Sequence, residues 1–404
     1  MKVMVIGAGA AGYFSAIHRK INVPTDEVIL VEKSDRGLGK VKVSGGGRCN
    51  VTHACFDARQ LSEYYPRGGK ALIGPFQRFQ PRDTIQWFED RGVPLKIEAD
   101  GRVFPVSNSS QSIIDALETE ASGRGVDTWT RTDVQRIETH PAGGFSVHIT
   151  PDFITHCDRI ILATGSSRMG YSFAKSLGHT ILDPVPSLFT FKINDDALTE
   201  IPGVAVSDAV VTVSGTRQWK QRGPVLVTHW GFSGPATLKI SAWAARDFAG
   251  SQYSLPLTIN WLPNYRLDDV EAAITDRQME SKQWVRSRPL VSEIPGRLWN
   301  YLVTKALGIG DLPWNETGKR HRGALVEVLT RDRYMISGKG VFKDEFVTCG
   351  GVALNEVDFR TMESKRCPGL YFAGEILDID GVTGGFNFQN AWTTAYIAAS
   401  DAPK

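Results

Sequence analysis

The chain of 404 residues carries 46 basic and 44 acidic side chains, a net charge of +2, which gives no broad electrostatic case for nucleic acid or an anionic membrane. Its composition, 42% hydrophobic and 22% charged, is that of an ordinary globular protein of about two or three domains. Five cysteines, none in Cys-x-x-Cys spacing, point away from a zinc knuckle or redox dithiol and toward a reducing cytoplasm, and no metal set is expected.

The first element is a buried strand over 2–6, a short apolar run ended by glycine. A helix over 10–20 and a second buried strand over 27–32 complete a strand–turn–helix–strand unit. No charged leader with an apolar stretch precedes it, so no signal peptide is expected. No apolar run approaches the roughly 18 residues of a membrane helix. A glycine-rich segment spans Gly37 to Asn50. Helices follow over 82–90 and 110–121, with Asp100-Gly101 as a turn between two short extended runs. Arg159 to Leu162 is another apolar strand, ending in Ala163-Thr164-Gly165. Residues 186–260 show short alternating runs and prolines, the pattern of antiparallel strands. From Asp268, a candidate cap, to about Leu307 the pattern is helical, broken at Pro295-Gly296. Near Gly338 extended runs return, Gly369 to Ala373 is a last strand, and Gly384-Gly385 opens a C-terminal helix.

The fold class is therefore α/β, with a Rossmann-like domain split in sequence, an inserted β-barrel-like domain and a helical subdomain. The boundaries read as 1–185 and 346–404 for the split domain, 186–263 and 326–345 for the β-rich insert, and 264–325 for the helical piece.

Gly7, Gly9 and Gly12 have the spacing of a dinucleotide loop. The first permits a tight turn, the second a close approach of phosphate, the third close helix–strand packing. Ala10 and Ala11 open the helix, whose N-terminus offers free N–H groups to a pyrophosphate. Glu32 ends the next strand about 20 residues on, where an acid accepts from ribose hydroxyls. The loop alone does not separate NAD from FAD. Ala163-Thr164-Gly165 and Gly374-Glu375, each after a later strand, are where two-domain flavoproteins pass the cofactor and hold the ribityl chain. A helix starting at Gly385 would favour negative charge on a reduced flavin ring. FAD is the expected cofactor.

At this point the chain resembles a known bacterial flavoprotein family, one that includes aminoacetone-oxidase-like proteins and a bile-acid 3-dehydro-Δ4 reductase. The resemblance rests on Ser44-Gly45-Gly46-Gly47-Arg48-Cys49-Asn50, on Thr228-His229-Trp230-Gly231-Phe232-Ser233-Gly234-Pro235, on Thr348-Cys349-Gly350-Gly351, and on Gly369 to Gln389 with its Gly374-Glu375, Asp380 and Gly385-Phe386-Asn387. Phe388 and Asn390, flanking Gln389, depart mildly from it. It implies that Lys33 and Lys40 join the glycine loop and Glu32 around the ADP half, with Val134 meeting adenine through its backbone. It further implies that Ser44 to Asn50, Gly374, Glu375, Asp380 and Gly385 to Gln389 surround the ribityl and ring. The reaction implied is flavin-mediated hydride transfer between NAD(P)H or a small organic substrate and an acceptor.

Arg48 beside three glycines is a candidate for an electron-rich flavin edge or diphosphate. His229 is the candidate proton donor, against the alternative of a histidine that hydrogen-bonds its own turn. Cys49 reads as a packed small residue, and Arg102 as either an anion contact or a solvated hairpin arginine. Trp284, Trp299 and Trp314 read as helix core. No second Gly-x-Gly-x-x-Gly unit exists for NAD(P)H, so any such donor binds transiently. Two other classes remain: an RNA-modifying flavoprotein, toward which Arg286, Arg288, Arg297, Lys319, Arg320 and Arg322 lean weakly, and a flavin sensor without turnover.

Overall fold

The computed structural model describes residues 1–150, 152–280, 282–308, 310–340 and 347–400. The chain divides into two compact units, Met1–Val185 with Phe346–Lys404, and Pro186–Glu345. The expected joint at 345–346 lies outside the described residues.

In the first unit a seven-stranded sheet runs in the order Val357–Asp358, Glu363–Ser364, Leu370–Phe372, Arg159–Leu162, Lys2–Ile6, Glu27–Val31, Asp127–Trp129. The last five are parallel, and the first two form an antiparallel edge. The central strands are buried throughout their apolar runs, as a sheet covered on both faces requires. Register then decides the site. Gly7 N–H bonds Val31 O, Ala163 N–H bonds Ile6 O, Ala373 N–H bonds Leu162 O, and Glu32 N–H bonds Trp129 O. These residues therefore leave the sheet at one carboxyl edge, the edge where open α/β sheets bind ligands.

Helix Ala10–Asn22 packs against the C-terminal helix Phe386–Ala398 and against helix Ser110–Gly123. His18 on the first of these is boxed by Phe14, Phe79, Trp87 and Tyr396, with ring centroids 4.4–6.2 Å away. Its Nε2 has no partner among the described residues. Burial, helped by Arg91 and Arg124, pushes its pKa down to about 3, so the folded ring stays neutral while an unfolded one charges below about 6.5. The contribution of His18 to stability is therefore full above pH 6.5 and is lost as pH falls toward 3, by up to about 1.4 kcal/mol per pH unit. His18→Phe should flatten that acid slope by this amount in urea unfolding measured at pH 7, 6 and 5. Parallel curves for the two proteins would refute it.

The second unit holds a closed barrel of Phe191–Ile193, Gly231–Ser233, Gln218–Thr228, Ala205–Ser214, Pro256–Asn260 and Asp332–Lys339, in that neighbour order. Period-two alternation turns Val211, Val213, Val225, Val227, Leu257, Ile259 and Phe232 into its core. Helices Leu267–Glu280, Gly296–Leu307 and Lys319–Thr330 extend the same core with Trp299 and Trp314.

Four expectations change. Gly39–Gly47 is a short kinked helix, because Lys42 N–H already bonds Leu38 O before the glycines turn left-handed. Asp269, one residue past Asp268, caps its helix by accepting from Arg266 N–H at 3.0 Å. Residues 326–330, placed by the expected boundary at the start of the β-rich insert's second part, finish the helix Lys319–Thr330. Trp284 is 55% exposed, because its segment is anchored by the next residue, Val285, which is fully buried.

Candidate functional site

Helix Ala10–Asn22 starts on Gly9 with no acid in its first turn. Gly7 has φ +101°, and a β-carbon there would stand 2.7 Å from Ala163 O. A β-carbon on Gly12 would overlap the Gly7 carbonyl oxygen, whereas one on Gly9 would meet nothing within 4 Å. Gly7 and Gly12 thus lock strand to helix, and Gly9 leaves the open face. Ala10 is half-buried and Ala11 buried, the latter against Gly374. Glu32 accepts from Ala8 N–H at 3.0 Å with one oxygen, and from Ser34 N–H and Oγ at 2.9 and 2.6 Å with the other. A carboxylate has about four acceptor positions, so Glu32 fixes the loop and keeps capacity for hydroxyls. Thr132 N–H on Glu32 O brings the loop that carries buried Val134 beside it. Lys33 instead forms an exposed pair with Asp133 at 2.9 Å.

Farther along the edge, Lys40 Nζ lies 2.5 Å from Glu375 Oε2 and 3.5 Å from Ser166 Oγ. Glu375 Oε1 accepts from Thr348 N–H at 3.0 Å. A β-carbon on Gly165 would lie 3.6 Å from the same carboxylate, and Thr164 Oγ1 is buried without a partner among the described residues. Gly374, at φ +76°, meets Ala11 so closely that any side chain would displace the first helix.

After Ser44 the backbone turns left-handed at Gly45, Gly46, Gly47 and Cys49, with φ of 57, 69, 83 and 59°. β-carbons on Gly46 and Gly47 would meet nothing within 4 Å. Successive left-handed turns of this kind gather N–H groups into an anion-accepting nest. Arg48 does not point freely into that nest: Nη1 bonds Glu98 Oε1 at 2.7 Å and its guanidinium lies 3.9 Å over Phe104. Cys49 is fully buried, and desolvation pushes its thiol up to about 12, so it is no thiolate. Arg102 is committed to Asp100 and Glu98 of its own hairpin.

The Asn50 amide, oriented to satisfy its neighbours, accepts from Gly385 N–H at 3.0 Å and donates to Thr52 O. Gly385 must be glycine, since at φ +92° a β-carbon would sit 2.5 Å from Thr52 O. Phe386 stacks on both His53 and Tyr64, which also meet each other at 5.7 Å. Asn387 clamps Gly381 through N–H and C=O at 2.8 and 2.9 Å. Gln389 is wholly buried, bonded to Thr52, Thr84 and Thr393. Asp380 is wholly buried too, paired with Arg67. Both side chains therefore position the C-terminal helix from inside the core. Arg67, Thr52, Thr84 and Glu98 escape a sequence reading, because their partners lie 50 or more residues away. The only local hint at Arg67 is the glycine after it, Gly68 at φ +77° against Ile379.

His229 lies in the second unit, exposed on the turn between Gln218–Thr228 and Gly231–Ser233. That turn is held by Thr228 Oγ1, which donates to Gly231 O and accepts from Trp230 N–H. Among the described residues the turn's hydrogen bonds run through Thr228, Trp230 and Gly231, not through the imidazole.

Open β-carbon positions at Gly9, Gly46 and Gly47 and two uncapped helix starts fit a dinucleotide that carries a diphosphate. The model of the HI0933-like protein Rossmann domain matches residues 1–401. The chain belongs to the HI0933-like family. Its members are FAD-binding oxidoreductases, and FAD is the cofactor of this chain. Among similar proteins, a ribosomal RNA dihydrouridine synthase of Escherichia coli (strain K12) is 31% identical over 412 residues, covering 98% of this chain and 97% of that protein. A 3-dehydro-bile acid delta(4,6)-reductase of Clostridium scindens is 26% identical over 411 residues, covering 99% and 98%. The structure of a 3-ketosteroid delta1-dehydrogenase from Sterolibacterium denitrificans superposes with a TM-score of 0.51 at 12% identity, covering 98% of each chain, and attests the fold alone. Among the described residues no helix is long and apolar enough to cross a membrane, and no group of His, Cys, Asp and Glu is arranged to hold a metal.

Proposed function

We propose that this protein reduces carbon–carbon double bonds conjugated to a carbonyl group. Bound FAD would supply two-electron chemistry between a donor such as NAD(P)H and the alkene. The observation that carries the reading is the pair of helix starts in the first unit. Both Ala10–Asn22 and Phe386–Ala398 begin on glycine, with no acid in the first turn. One N-terminus suits a diphosphate, and the other suits the negative charge of a reduced ring. The similar proteins supply the acceptor class. Dihydrouridine is uridine with two hydrogens added to a ring double bond beside a carbonyl, and a delta(4,6)-reductase acts on carbon–carbon double bonds. One bond chemistry fits both names.

Within the first unit the chain's own residues hold the cofactor: Glu32, Lys40, Glu375 and the Gly45–Cys49 nest are the proposed cradle. A proton from solvent or from an acidic group of the chain completes the reduction at the second alkene carbon.

The reading is tested by incubating the reduced holoprotein with unmodified ribosomal RNA and with a 4-en-3-one steroid. Mass spectrometry should show a gain of two hydrogens on one of them. A flavin that bleaches with NAD(P)H and reoxidises with neither acceptor would overturn it.

A further inference from the structure

The helical part of the second unit carries charge that the balanced chain as a whole does not. Residues 277–322 hold nine lysines and arginines against four carboxylates. Some of the cations are structural. Arg286 bonds Thr304 Oγ1 and the carbonyls of Gly308 and Gly310, and Arg297 bonds the carbonyls of Glu200 and Pro202. Lys282, Arg288, Lys319 and Arg320 are exposed and have no ion-pair partner among the described residues.

The fold gathers these cations. Gln278, near the end of helix Leu267–Glu280, donates to Thr317 O and accepts from Arg322 Nη1 at 3.0 Å. Trp314 N–H bonds Gln283 O at 2.9 Å, and Trp284 bridges Pro313. The segment 282–288 is thereby pinned beside the start of helix Lys319–Thr330. That helix begins Lys-Arg-His-Arg with no acid in its first turn, which sets its cations against the helix dipole. Glu293 and Glu316 are exposed carboxylates of residues 277–322. Between the cations stands Trp284, an indole kept 55% exposed while the neighbouring tryptophans Trp299 and Trp314 fill the core.

An exposed indole among cations is the chemistry of a single-stranded nucleic-acid platform: the ring stacks on a base and the cations follow the phosphates. We propose that Trp284, with Lys282, Arg288, Lys319, Arg320 and Arg322, binds an unpaired stretch of RNA. This deepens the reading of the protein as a double-bond reductase, and rests on it, by naming RNA as the carrier of the reduced ring.

The test measures binding of the FAD-loaded full chain to a fluorescently labelled 16-residue oligouridylate by anisotropy, from low to moderate salt. Trp284→Ala should weaken binding about tenfold. Lys319→Glu with Arg320→Glu should weaken it further and lower the slope of log K against log salt by about 1.4, roughly 0.7 for each lost phosphate contact. FAD content and melting temperature serve as the check on folding. Wild-type affinity and slope in both variants would overturn the surface, as would a wild-type protein that ignores the oligonucleotide at low salt. Failure of the reductase reading shows separately, as intact RNA binding with no hydrogen gained by any uridine.

Discussion

Gly9→Ala is expected to fold and to lose most of its FAD, while Gly12→Ala is expected not to fold. Gly9 sits at φ −84° and ψ −168°, backbone that any residue adopts, and a β-carbon there meets no protein atom within 4 Å. The added methyl enters only the space proposed for the diphosphate. A misplaced methyl against a close-packed surface costs about 1–3 kcal/mol, which is roughly a ten- to hundredfold loss in affinity. Gly12 has no such freedom. Its β-carbon would overlap the Gly7 carbonyl oxygen and reach Leu30 Cδ1 at 3.4 Å. Gly7 cannot retreat, because its N–H is bonded to Val31 O at 2.8 Å and its own β-side faces Ala163 O. Helix and sheet would have to part, a core failure of about 4 kcal/mol or more. FAD released on heating gives the first readout, and circular dichroism melting of the apoprotein gives the second. Full FAD content in Gly9→Ala would remove the diphosphate from this loop, and a normally melting Gly12→Ala would remove the packing argument.

The elements that were legible are those whose cause is local. Arg159–Leu162 and Glu27–Val31 are apolar on both faces because both faces are covered, and such runs announce themselves. The glycine loop, too, is a local turn. The kinked helix Gly39–Gly47 was not legible, because its capping bonds and left-handed turn are fixed by Ala8 O, Asn50 and Phe104 from outside it. Trp284 was misread for a related reason. Tryptophans in a helical stretch default to core, and only the anchoring of Val285 by Leu312 O and Trp299 Nε1 leaves the indole outside. At the site, residue types were readable and pairings were not. Lys40 and Glu375 are 335 residues apart, and Thr52 and Gln389 are 337 apart. No spacing rule reaches that far. Arg48 looks free in sequence, and the hairpin that brings Glu98 and Phe104 to it makes it a paired cation.

Asp380 is where residue type and surroundings pull apart, and a mutant cycle decides between them. An acid after the last strand suggests a cofactor contact. The structure encloses its carboxylate completely, with Oδ1 accepting from Arg67 Nε at 2.5 Å and Oδ2 from Arg67 Nη2. Burial alone would lower the guanidinium's pKa; the hydrogen bonds and charge of Asp380 hold it above its ordinary value instead. Arg67→Leu would leave a carboxylate with its partner cation gone inside the protein, which costs about 3–5 kcal/mol and lowers the melting temperature by about 10 °C. Asp380→Asn should cost less, since Arg67 retains a 16% exposed side chain that can reach water. Arg67→Leu with Asp380→Leu should recover most of the loss, because two apolar side chains of similar bulk need no partner. FAD content separates the two roles. If Asp380 only positions the Gly384-Gly385 turn, the double variant binds FAD at low temperature as the wild type does. If the carboxylate itself meets the cofactor, every variant lacking it loses FAD, including the double variant whose stability has returned.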